Sequence, residues 1–386
     1  MKSYQERYEA VMMRTFPTPA RQLVRGEGVY VWDSEGRRYL DLLAGIAVNS
    51  TGHSHPHVVA ALREQLGQLV HTSNFFATAP QLALAEKLAE IIAEAGYTQP
   101  ARVFFTNSGT EANEAALKIA RAHKPGGKIL GLEGSFHGRT FGALSVTSKA
   151  SLREPFAPLV GQTGLVPATV AGIESGVDDS VAALFVEPIQ GEAGVVPLAP
   201  EVLQTARQAC DRHNALLIID EVQTGVGRTG SWLASSETVR GDVVTLAKGL
   251  GSGVPVGACI GIGKAGELLG PGDHGSTFGG NPLATRAALA TLEVISGYLQ
   301  SGHVQATGTW LQEELSAAGY AVRGKGLLLG IAVENASELA AELLEAGFIV
   351  NPANANTLRI APPLGITREE LAPFTEFMRE KVALRG

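Results

Sequence analysis

The chain has little cysteine, no excess of basic residues and no long apolar run, and each absence narrows its possible functions. Two cysteines, Cys210 and Cys259, occur among 386 residues, and we expect buried free thiols rather than a disulfide or a metal pair. The net charge of -7 provides no basic surface for nucleic acid. No apolar run approaches the ~20 residues that span a bilayer. We therefore expect neither nucleic acid nor a membrane as a partner, and no metal site.

The beginning of the sequence also lacks a recognisable targeting signal. The segment MKSYQERYEAVMMRTF is charged throughout and has no apolar signal core. Internal repeats, low-complexity tracts and long linkers are missing as well. These features predict a cytoplasmic protein.

Short apolar runs alternate with helical patterns through the middle of the chain. The helical patterns include Glu111–His123 and Pro200–His213. The runs that predict strands are Arg102–Thr106, Lys128–Leu132, Val181–Val186, Ala215–Ile219, Val243–Ala247 and Val256–Ile262. Such alternation predicts an α/β fold with a mostly parallel central sheet. Because the strands are apolar almost throughout, helices are expected on both faces of the sheet.

The two ends of the chain have a different pattern from its middle. Near the beginning, GVYVWDSEGRRYLDL predicts a hairpin that turns at Ser34–Gly36. After about residue 280, two helical patterns precede Lys325–Val333 and a mixed α+β end. A chain of this length favours two domains. We expect residues 56–280 to form a large domain, and residues 1–55 and 281–386 to form a smaller α+β domain together.

Gly225, Gly227 and Gly230 have the spacing of a dinucleotide-binding fingerprint but not its sequence context. The segment Glu221–Thr224 separates them from the preceding strand, and SWLASSE, which follows, does not predict a long helix. No acidic residue ends a next strand at the required distance. We expect a flexible, tight-turning surface loop near a site rather than a nicotinamide or flavin site.

Three of the predicted strands end in polar residues that complement one another. After RVFFT, a loop containing Ser108 and Gly109 precedes a helix that begins near Thr110, and a helix N-terminus can bind an anion. A simple N-cap by Ser108 or Thr110 is the alternative explanation. Asp220 ends ALLIID, where it caps the next element or faces a cationic ring nitrogen. Lys248 ends DVVTLAK, and a desolvated lysine can act as nucleophile and base.

Together these three strand ends predict a cofactor site. Ligands of parallel sheets bind beyond the carboxyl ends of the strands, where the anion site, Asp220 and Lys248 are expected to meet. Pyridoxal phosphate requires this combination. Its phosphate matches the helix N-terminus, its ring nitrogen matches the aspartate and its aldehyde matches the lysine.

Six segments resemble, in sequence and in order, the class III aminotransferases of fold type I. They are NSGTEANEAALKIAR, FHGRTFGALSVT, VEPIQGEAGV, LIIDEVQTGVGRTG, TLAKGLGSGVPVGA and HGSTFGGNPLA. The resemblance covers nearly the whole chain and implies the fold of a type I pyridoxal-phosphate-dependent transferase. Two further segments, LDLLAGIAVNSTGHSHP and HTSNFF, resemble those family members that act on N2-acetylornithine.

The resemblance implies a set of residues that bind pyridoxal 5'-phosphate. The matching residues are Ser108, Gly109, Thr110, Phe136, Asp220, Gln223, Lys248 and Thr277. Lys248 matches the Schiff-base lysine, Asp220 the partner of the pyridinium nitrogen, and Gln223 the contact to the phenolic oxygen. Phe136 matches the aromatic ring that stacks on the cofactor, and Ser108 to Thr110 match the phosphate loop.

The resemblance also implies how the substrates are bound. Arg139 matches the residue that contacts the distal carboxylate of the substrate. Arg359 matches the residue that forms a bidentate pair with the α-carboxylate of 2-oxoglutarate, although a structural ion pair is the alternative for a cation in an apolar strand. Glu192 matches a switch glutamate that pairs with Arg359 while an ω-amino donor is bound. Ser276 and Thr277 match a segment that reaches the neighbouring subunit's site, which implies a homodimer with shared active sites.

The activity implied is a ping-pong aminotransferase of arginine biosynthesis. It moves the terminal amino group of N2-acetyl-L-ornithine to 2-oxoglutarate, giving N-acetyl-L-glutamate 5-semialdehyde and L-glutamate. Activities on ornithine, succinylornithine or carrier-protein-linked aminoadipate semialdehyde are the alternatives within the family, followed by a related aminomutase. From other classes we consider a cofactor-binding regulator without turnover and a nicotinamide dehydrogenase. One residue departs from the family pattern, because Ala193 replaces a glycine of GEGG. The resemblance therefore does not fix the geometry of the loop that carries Glu192.

Overall fold

A computed structural model describes residues 2–383, and these residues fold into an α/β structure with several sheets. The helices are α1 (Tyr4–Val11), α2 (Ala44–Ala47), α3 (Pro56–Leu66), α4 (Ala79–Glu94), α5 (Gly109–His123), α6 (Phe141–Ser145), α7 (Ala150–Arg153), α8 (Val170–Gly176), α9 (Pro200–Arg212), α10 (Pro282–Gln300), α11 (His303–Ala317), α12 (Ala336–Ala346) and α13 (Arg368–Ala383). Short 3-10 turns lie at Glu154–Phe156, Lys248–Leu250 and Gly263–Glu267.

The strands divide between a central sheet and smaller sheets. They are β1 (Leu23–Glu27), β2 (Tyr30–Asp33), β3 (Arg38–Asp41), β4 (Ala101–Thr106), β5 (Lys128–Leu132), β6 (Thr163–Val166), β7 (Val181–Val186), β8 (Ile189–Gln190), β9 (Val196–Pro197), β10 (Leu216–Asp220), β11 (Val243–Leu246), β12 (Gly257–Ile262), β13 (Val322–Lys325), β14 (Leu328–Ala332), β15 (Phe348–Ile349), β16 (Asn351–Asn354) and β17 (Thr357–Ile360).

The central sheet has the strand order β4-β12-β11-β10-β7-β5-β6 within the described residues. Strand β12 is antiparallel to both of its neighbours, and the other pairings are parallel. The mostly parallel sheet that the sequence predicts is therefore confirmed. The sequence pattern does not predict β6, because this edge strand buries only Val166 fully and lacks a continuous apolar run.

Side chains of the central strands alternate between two apolar layers. Leu216 and Ile218 of β10 pack in one layer with α5, whereas Leu217 and Ile219 pack in the other with α8 and α9. This period of two is the pleat of a β-strand. Because helices cover both faces, residues of either parity are buried, which explains why the strands carry no polar alternation.

Strands from both ends of the chain meet in one small sheet. Its order is β1-β2-β3-β15, with β2 and β3 forming the hairpin predicted at Ser34–Gly36. Phe348 of β15 pairs in parallel with Leu40 of β3. A separate sheet of order β13-β14-β17-β16 follows the long helices α10 and α11. The two ends of the chain are therefore joined in one sheet, while the division of the chain near residues 55 and 280 stays a prediction.

The glycine-rich loop Gly225–Gly230 is buried, so the expectation of a surface loop is wrong. Arg228 and Thr229 at its centre are 1% and 0% exposed. Arg228 Nη1 donates to the carbonyl oxygens of Leu327 at 3.1 Å and Pro362 at 2.5 Å. Its tight turning is correct, since φ is 84° at Gly227 and 91° at Gly230. Glycine at these positions thus lets the loop pack closely against the C-terminal part of the chain.

The two cysteines are buried free thiols, as the sequence predicts. Burial raises the pKa of both Cys210 and Cys259 to about 12, so neither is a thiolate near neutral pH. Among residues 2–383, no helix has the length and apolarity needed to cross a membrane. The same residues contain no cluster of three or more histidine, cysteine or acidic side chains that could hold a metal ion.

Truncation of Phe185 should strongly destabilise the fold. Phe185 is 0% exposed in β7, and its ring centroid lies 5.3 Å from that of His137. We expect Phe185→Ala to lower the free energy of unfolding by about 3–5 kcal/mol, because the transfer and cavity costs add. The matched variant Phe156→Ala removes a ring that is 55% exposed and should cost less than about 1 kcal/mol. Similar losses in both variants, measured by urea denaturation, would contradict this core.

Candidate active site

A cavity of about 250 Å³ lies beyond the carboxyl ends of the central strands. The predicted site residues that line it are Gly109, Thr110, Phe136, Arg139, Glu192, Asp220, Gln223 and Lys248. Residues outside the prediction line it too, and three of them carry polar side chains: Asn113, His137 and Glu187. The structure therefore gathers most of the predicted site in one place, at the edge of the sheet where ligands are expected.

The N-terminus of helix α5 forms one end of the cavity. Ser108 caps the helix, since its Oγ accepts from the Glu111 amide at 3.3 Å, so the capping explanation holds for this side chain. A Cβ at Gly109 would come within 2.5 Å of Val222 Cγ1, which makes glycine necessary at this position. The Thr110 hydroxyl lies 2.8 Å from that of Thr140. The cavity thus borders the N-terminus of α5, and a helix N-terminus can bind an anion.

The carboxylate of Asp220 is buried at the end of β10. The residue is 4% exposed, and its Oδ1 accepts from the Val222 amide at 3.0 Å. Its Oδ2 accepts from Asn113 Nδ2 at 2.7 Å and lies 2.8 Å from His137 Nδ1. A buried charge needs such partners. The site therefore presents a negative charge whose orientation is fixed from three sides.

Asn113 and His137 connect this carboxylate to neighbouring elements. Asn113 Nδ2 also donates to the carbonyl oxygen of His137 at 2.7 Å, and its Oδ1 accepts from the Thr245 hydroxyl at 2.9 Å. Burial disfavours a charged His137 ring, but the hydrogen bond and the charge of Asp220 outweigh it and raise the pKa of His137. His137 follows Phe136 in FHGR. Its contact with Asp220 could not be predicted from the sequence, because the two residues lie 83 positions apart.

Glu187 is a further carboxylate of the cavity that the sequence analysis missed. It is 6% exposed, and its Oε2 accepts from the Phe136 amide at 2.9 Å. Burial raises the pKa of Glu187 to about 7, although the nearby His137 opposes this shift. The sequence could have predicted a site residue here, because Glu187 directly follows the wholly apolar strand β7, just as Asp220 ends β10.

Lys248 begins the turn that follows β11. Its φ of 43° lies in the left-handed region, which side chains other than glycine, asparagine and aspartate seldom adopt. Such a conformation persists only where the surroundings enforce it. Burial, together with the positive charge of Arg359, lowers the pKa of Lys248 to about 8. A neutral amine is therefore available close to neutral pH.

Arg359 and Glu192 lie in contact, as the resemblance implied. Arg359 is 1% exposed in β17, and its Nη1 lies 2.5 Å from Glu192 Oε1. The same nitrogen is 3.4 Å from Gln223 Oε1, and Nη2 donates to Asn351 Oδ1 at 2.6 Å. Arg359 is not itself part of the cavity lining, but Glu192 and Gln223 connect it to the cavity.

The turn that carries Glu192 accommodates alanine at position 193. Gly194, not Ala193, takes a left-handed φ, of 108°. The carbonyl oxygen of Ala193 accepts from Asn354 Nδ2 at 2.9 Å. The departure from the family pattern therefore leaves Glu192 in contact with Arg359.

Three of the predicted residues lie at the rim of this cavity or outside it. Arg139 is exposed at the rim of the cavity, and its side chain has no hydrogen bond or ion pair among the described residues. Ser276 and Thr277 line a different cavity, of about 960 Å³. Ser276 Oγ accepts there from Asn107 Nδ2 at 3.3 Å. A role for these two residues in a neighbouring subunit's site remains a prediction.

The amine of Lys248 should become reactive at a lower pH than an ordinary lysine. Only the neutral amine attacks acylating reagents, so labelling of ligand-free protein should be half-maximal near the lowered pKa of about 8 rather than at about 10.4. Arg359→Met removes a neighbouring positive charge and should move this midpoint upward. Peptide mass spectrometry across a pH series measures both. A midpoint near that of ordinary lysines in the unaltered protein would contradict the lowered pKa.

The known proteins that are similar to this chain are aminotransferases. Residues 12–382 match the family Aminotransferase class-III. The chain is 50% identical over 378 residues to acetylornithine aminotransferase of Mycolicibacterium smegmatis, covering 96% of this chain and 95% of that protein. It is 44% identical over 375 residues to acetylornithine aminotransferase of Archaeoglobus fulgidus, covering 97% and 98%.

Solved structures give a consistent result. Ornithine aminotransferase from Toxoplasma gondii ME49 superposes with a TM-score of 0.92 at 33% identity, covering 100% of this chain and 96% of that one. Acetylornithine aminotransferase from Elizabethkingia anophelis superposes with a TM-score of 0.85 at 32% identity, covering 99% and 98%. A second Toxoplasma gondii ornithine aminotransferase structure is described with partial occupancy of PLP at its active site.

Proposed function

The chain belongs to the class III aminotransferases, which are pyridoxal-phosphate enzymes, and from this premise we propose that its amino donor is N2-acetyl-L-ornithine. The terminal amino group goes to 2-oxoglutarate, and the products are N-acetyl-L-glutamate 5-semialdehyde and L-glutamate. This reaction belongs to arginine biosynthesis. The observation that carries the choice of donor is the sequence identity of 50% and 44%, over nearly the full length of the chain, to acetylornithine aminotransferases of two different organisms.

The residues of the cavity fit pyridoxal 5'-phosphate. Gly109 and Thr110 offer backbone N–H groups to the phosphate, with Ser108 holding the helix end in place. Both Phe136 and Gln223 line the cavity; Phe136 would stack on the cofactor ring and Gln223 would contact its phenolic oxygen. When bound, the cofactor supplies a ring that withdraws electrons from the amine-bearing carbon of the donor.

Asp220 and Lys248 perform opposite proton tasks in this proposal. Asp220, fixed by Asn113, His137 and the Val222 amide, would keep the ring nitrogen of the cofactor protonated. Lys248 would hold the cofactor, and its neutral amine would move a proton from the amine-bearing carbon of the donor to the cofactor. A pKa of about 8 suits this step, since a general base works best with a pKa near the working pH.

Three charged residues let one pocket accept two unlike substrates. While the donor is bound, Glu192 neutralises Arg359, as it does in the structure. For 2-oxoglutarate, the Glu192 side chain turns away and Arg359 binds the α-carboxylate as a bidentate fork. Arg139, exposed at the rim of the cavity, binds the distal carboxylate.

A homodimer with shared active sites is part of the same proposal. Ser276 and Thr277 of one subunit reach the phosphate site of the other. Phe75 and Phe278 beside them are 92% and 60% exposed, and apolar surface of this kind is typical of an interface. A second copy of the chain would cover these rings. Cysteines that are both buried and unpaired agree with the cytoplasmic setting that we propose for the enzyme.

Ornithine is the second candidate donor. The observation that favours it is the structural likeness to the Toxoplasma gondii ornithine aminotransferase. That likeness comes with lower sequence identity than the acetylornithine relatives have. Overall structure reports the shared fold more than the choice of substrate.

A panel of donors tests the proposal. The holoenzyme is assayed with 2-oxoglutarate and with acetylornithine, ornithine or succinylornithine, and kcat/KM is compared. We expect acetylornithine to be preferred by about tenfold or more, which corresponds to about 1.4 kcal/mol of transition-state binding. Lys248→Ala provides the background rate. A preference for ornithine would overturn the named donor and leave the family assignment intact.

A further inference from the structure

Arg359 has a second partner, Asn351, to which neither the motifs nor the family resemblance points. Arg359 Nη2 donates to Asn351 Oδ1 at 2.6 Å. The two residues face each other across the antiparallel pair of β16 and β17. Directly opposed residues of adjacent strands are held at a fixed spacing by the backbone ladder. This contact is therefore built into one sheet.

Glu192, the charged partner of Arg359, comes from outside that sheet. It lies on the turn between β8 and β9, and its side chain is 38% exposed. The backbone of this turn is tied down, because Asn354 Nδ2 donates to the Ala193 carbonyl at 2.9 Å and Arg323 Nε to the Gly194 carbonyl at 2.8 Å. A Cβ at Gly194 would lie 2.6 Å from Asn354 Nδ2. Glu192 must therefore leave Arg359 by rotating its side chain, without movement of the turn.

The two partners differ in charge, and this decides what each can do. A guanidinium has five N–H donors and no acceptor. Asn351 engages Nη2, while Nη1 faces Glu192 and Gln223. The amide oxygen of asparagine orients the guanidinium but leaves its positive charge intact. A carboxylate at position 351 would instead neutralise Arg359 permanently and compete with any carboxylate that arrives.

We propose that Asn351 is a positioning residue that keeps the guanidinium of Arg359 aimed at the cavity in both halves of the reaction. Glu192 then exchanges with the carboxylate of the keto acid, and Asn351 stays in place. Asn351 thereby sets the affinity for 2-oxoglutarate and has little effect on the amino donor. This inference rests on the proposed role of Arg359 in binding 2-oxoglutarate.

Glutarate, which has both carboxylates of 2-oxoglutarate but no keto group, separates binding from turnover. Its dissociation constant is measured on the holoenzyme by isothermal titration calorimetry. Asn351→Asp should weaken glutarate binding about tenfold or more, because Arg359 becomes permanently paired. Asn351→Ala should weaken it by about threefold to tenfold, since one hydrogen bond of a buried cation is lost. The reaction with acetylornithine alone is followed by its absorbance change. Its kcat/KM for acetylornithine should stay within about twofold of the value for the unaltered enzyme in both variants.

Asn335→Asp is the matched control for the change in charge. Asn335 is exposed and caps α12, a role that aspartate also fills, so this variant should bind glutarate as the unaltered enzyme does. Normal glutarate binding by Asn351→Asp, or an equal loss in both halves of the reaction, would show that Asn351 is merely structural and overturn the inference.

Two further outcomes separate this inference from the proposed function. If the unaltered holoenzyme does not bind glutarate, the proposed role of Arg359 fails and the inference fails with it. If glutarate binds and responds to the Asn351 variants while acetylornithine is no donor, the named donor is wrong and the inference stands.

Discussion

The hydrogen bonds that hold the buried carboxylate of Asp220 bring the parts of this site together. Asn113 comes from helix α5, His137 from the loop after β5, and the Val222 amide from the loop after β10 itself. Thr245 of β11 donates to Asn113 and so fixes which way its amide faces. The contacts of Asn113 and His137 join separate elements, which the sheet order β11-β10-β7-β5 and the helix α5 bring to one edge of the sheet. The carboxylate at the end of β10 thus connects helix α5, the loop after β5 and, through Asn113, strand β11 at one cavity.

Acidic and basic groups share that cavity, and the pKa of several of them depends on their neighbours. Burial and the positive charge of Arg359 lower the pKa of Lys248, whereas burial raises the pKa of Glu187 and Asp220 adds to this effect. His137 gains a raised pKa from the same aspartate. Because these groups share one poorly solvated space, a change in the charge of one alters the others. The roles that we propose for Lys248, Asp220 and Arg359 depend on this mutual influence.

Local patterns in the sequence predict much of this arrangement. Apolar runs that end in Asp220 and Lys248, and a helix that begins after Ser108, are visible because each depends on neighbouring residues alone. The reversed direction of β12 and the edge strand β6 are not visible, since strand direction and edge position are set by pairing with distant segments. For the same reason the sequence hides the contacts of Asn113 and Asn351. The buried glycine loop was wrongly expected at the surface, because glycine marks a tight turn but does not report what packs against it.

We propose that Lys248 is the residue that holds the cofactor. Reduction of the holoenzyme with borohydride makes the bond between pyridoxal phosphate and its lysine permanent, and tryptic peptides then show by mass which lysine carries it. A modified Lys248 resists trypsin, so we expect the reduced cofactor on a peptide spanning Gly241–Lys264. Cofactor found on a different lysine, or on none, would contradict this role of Lys248.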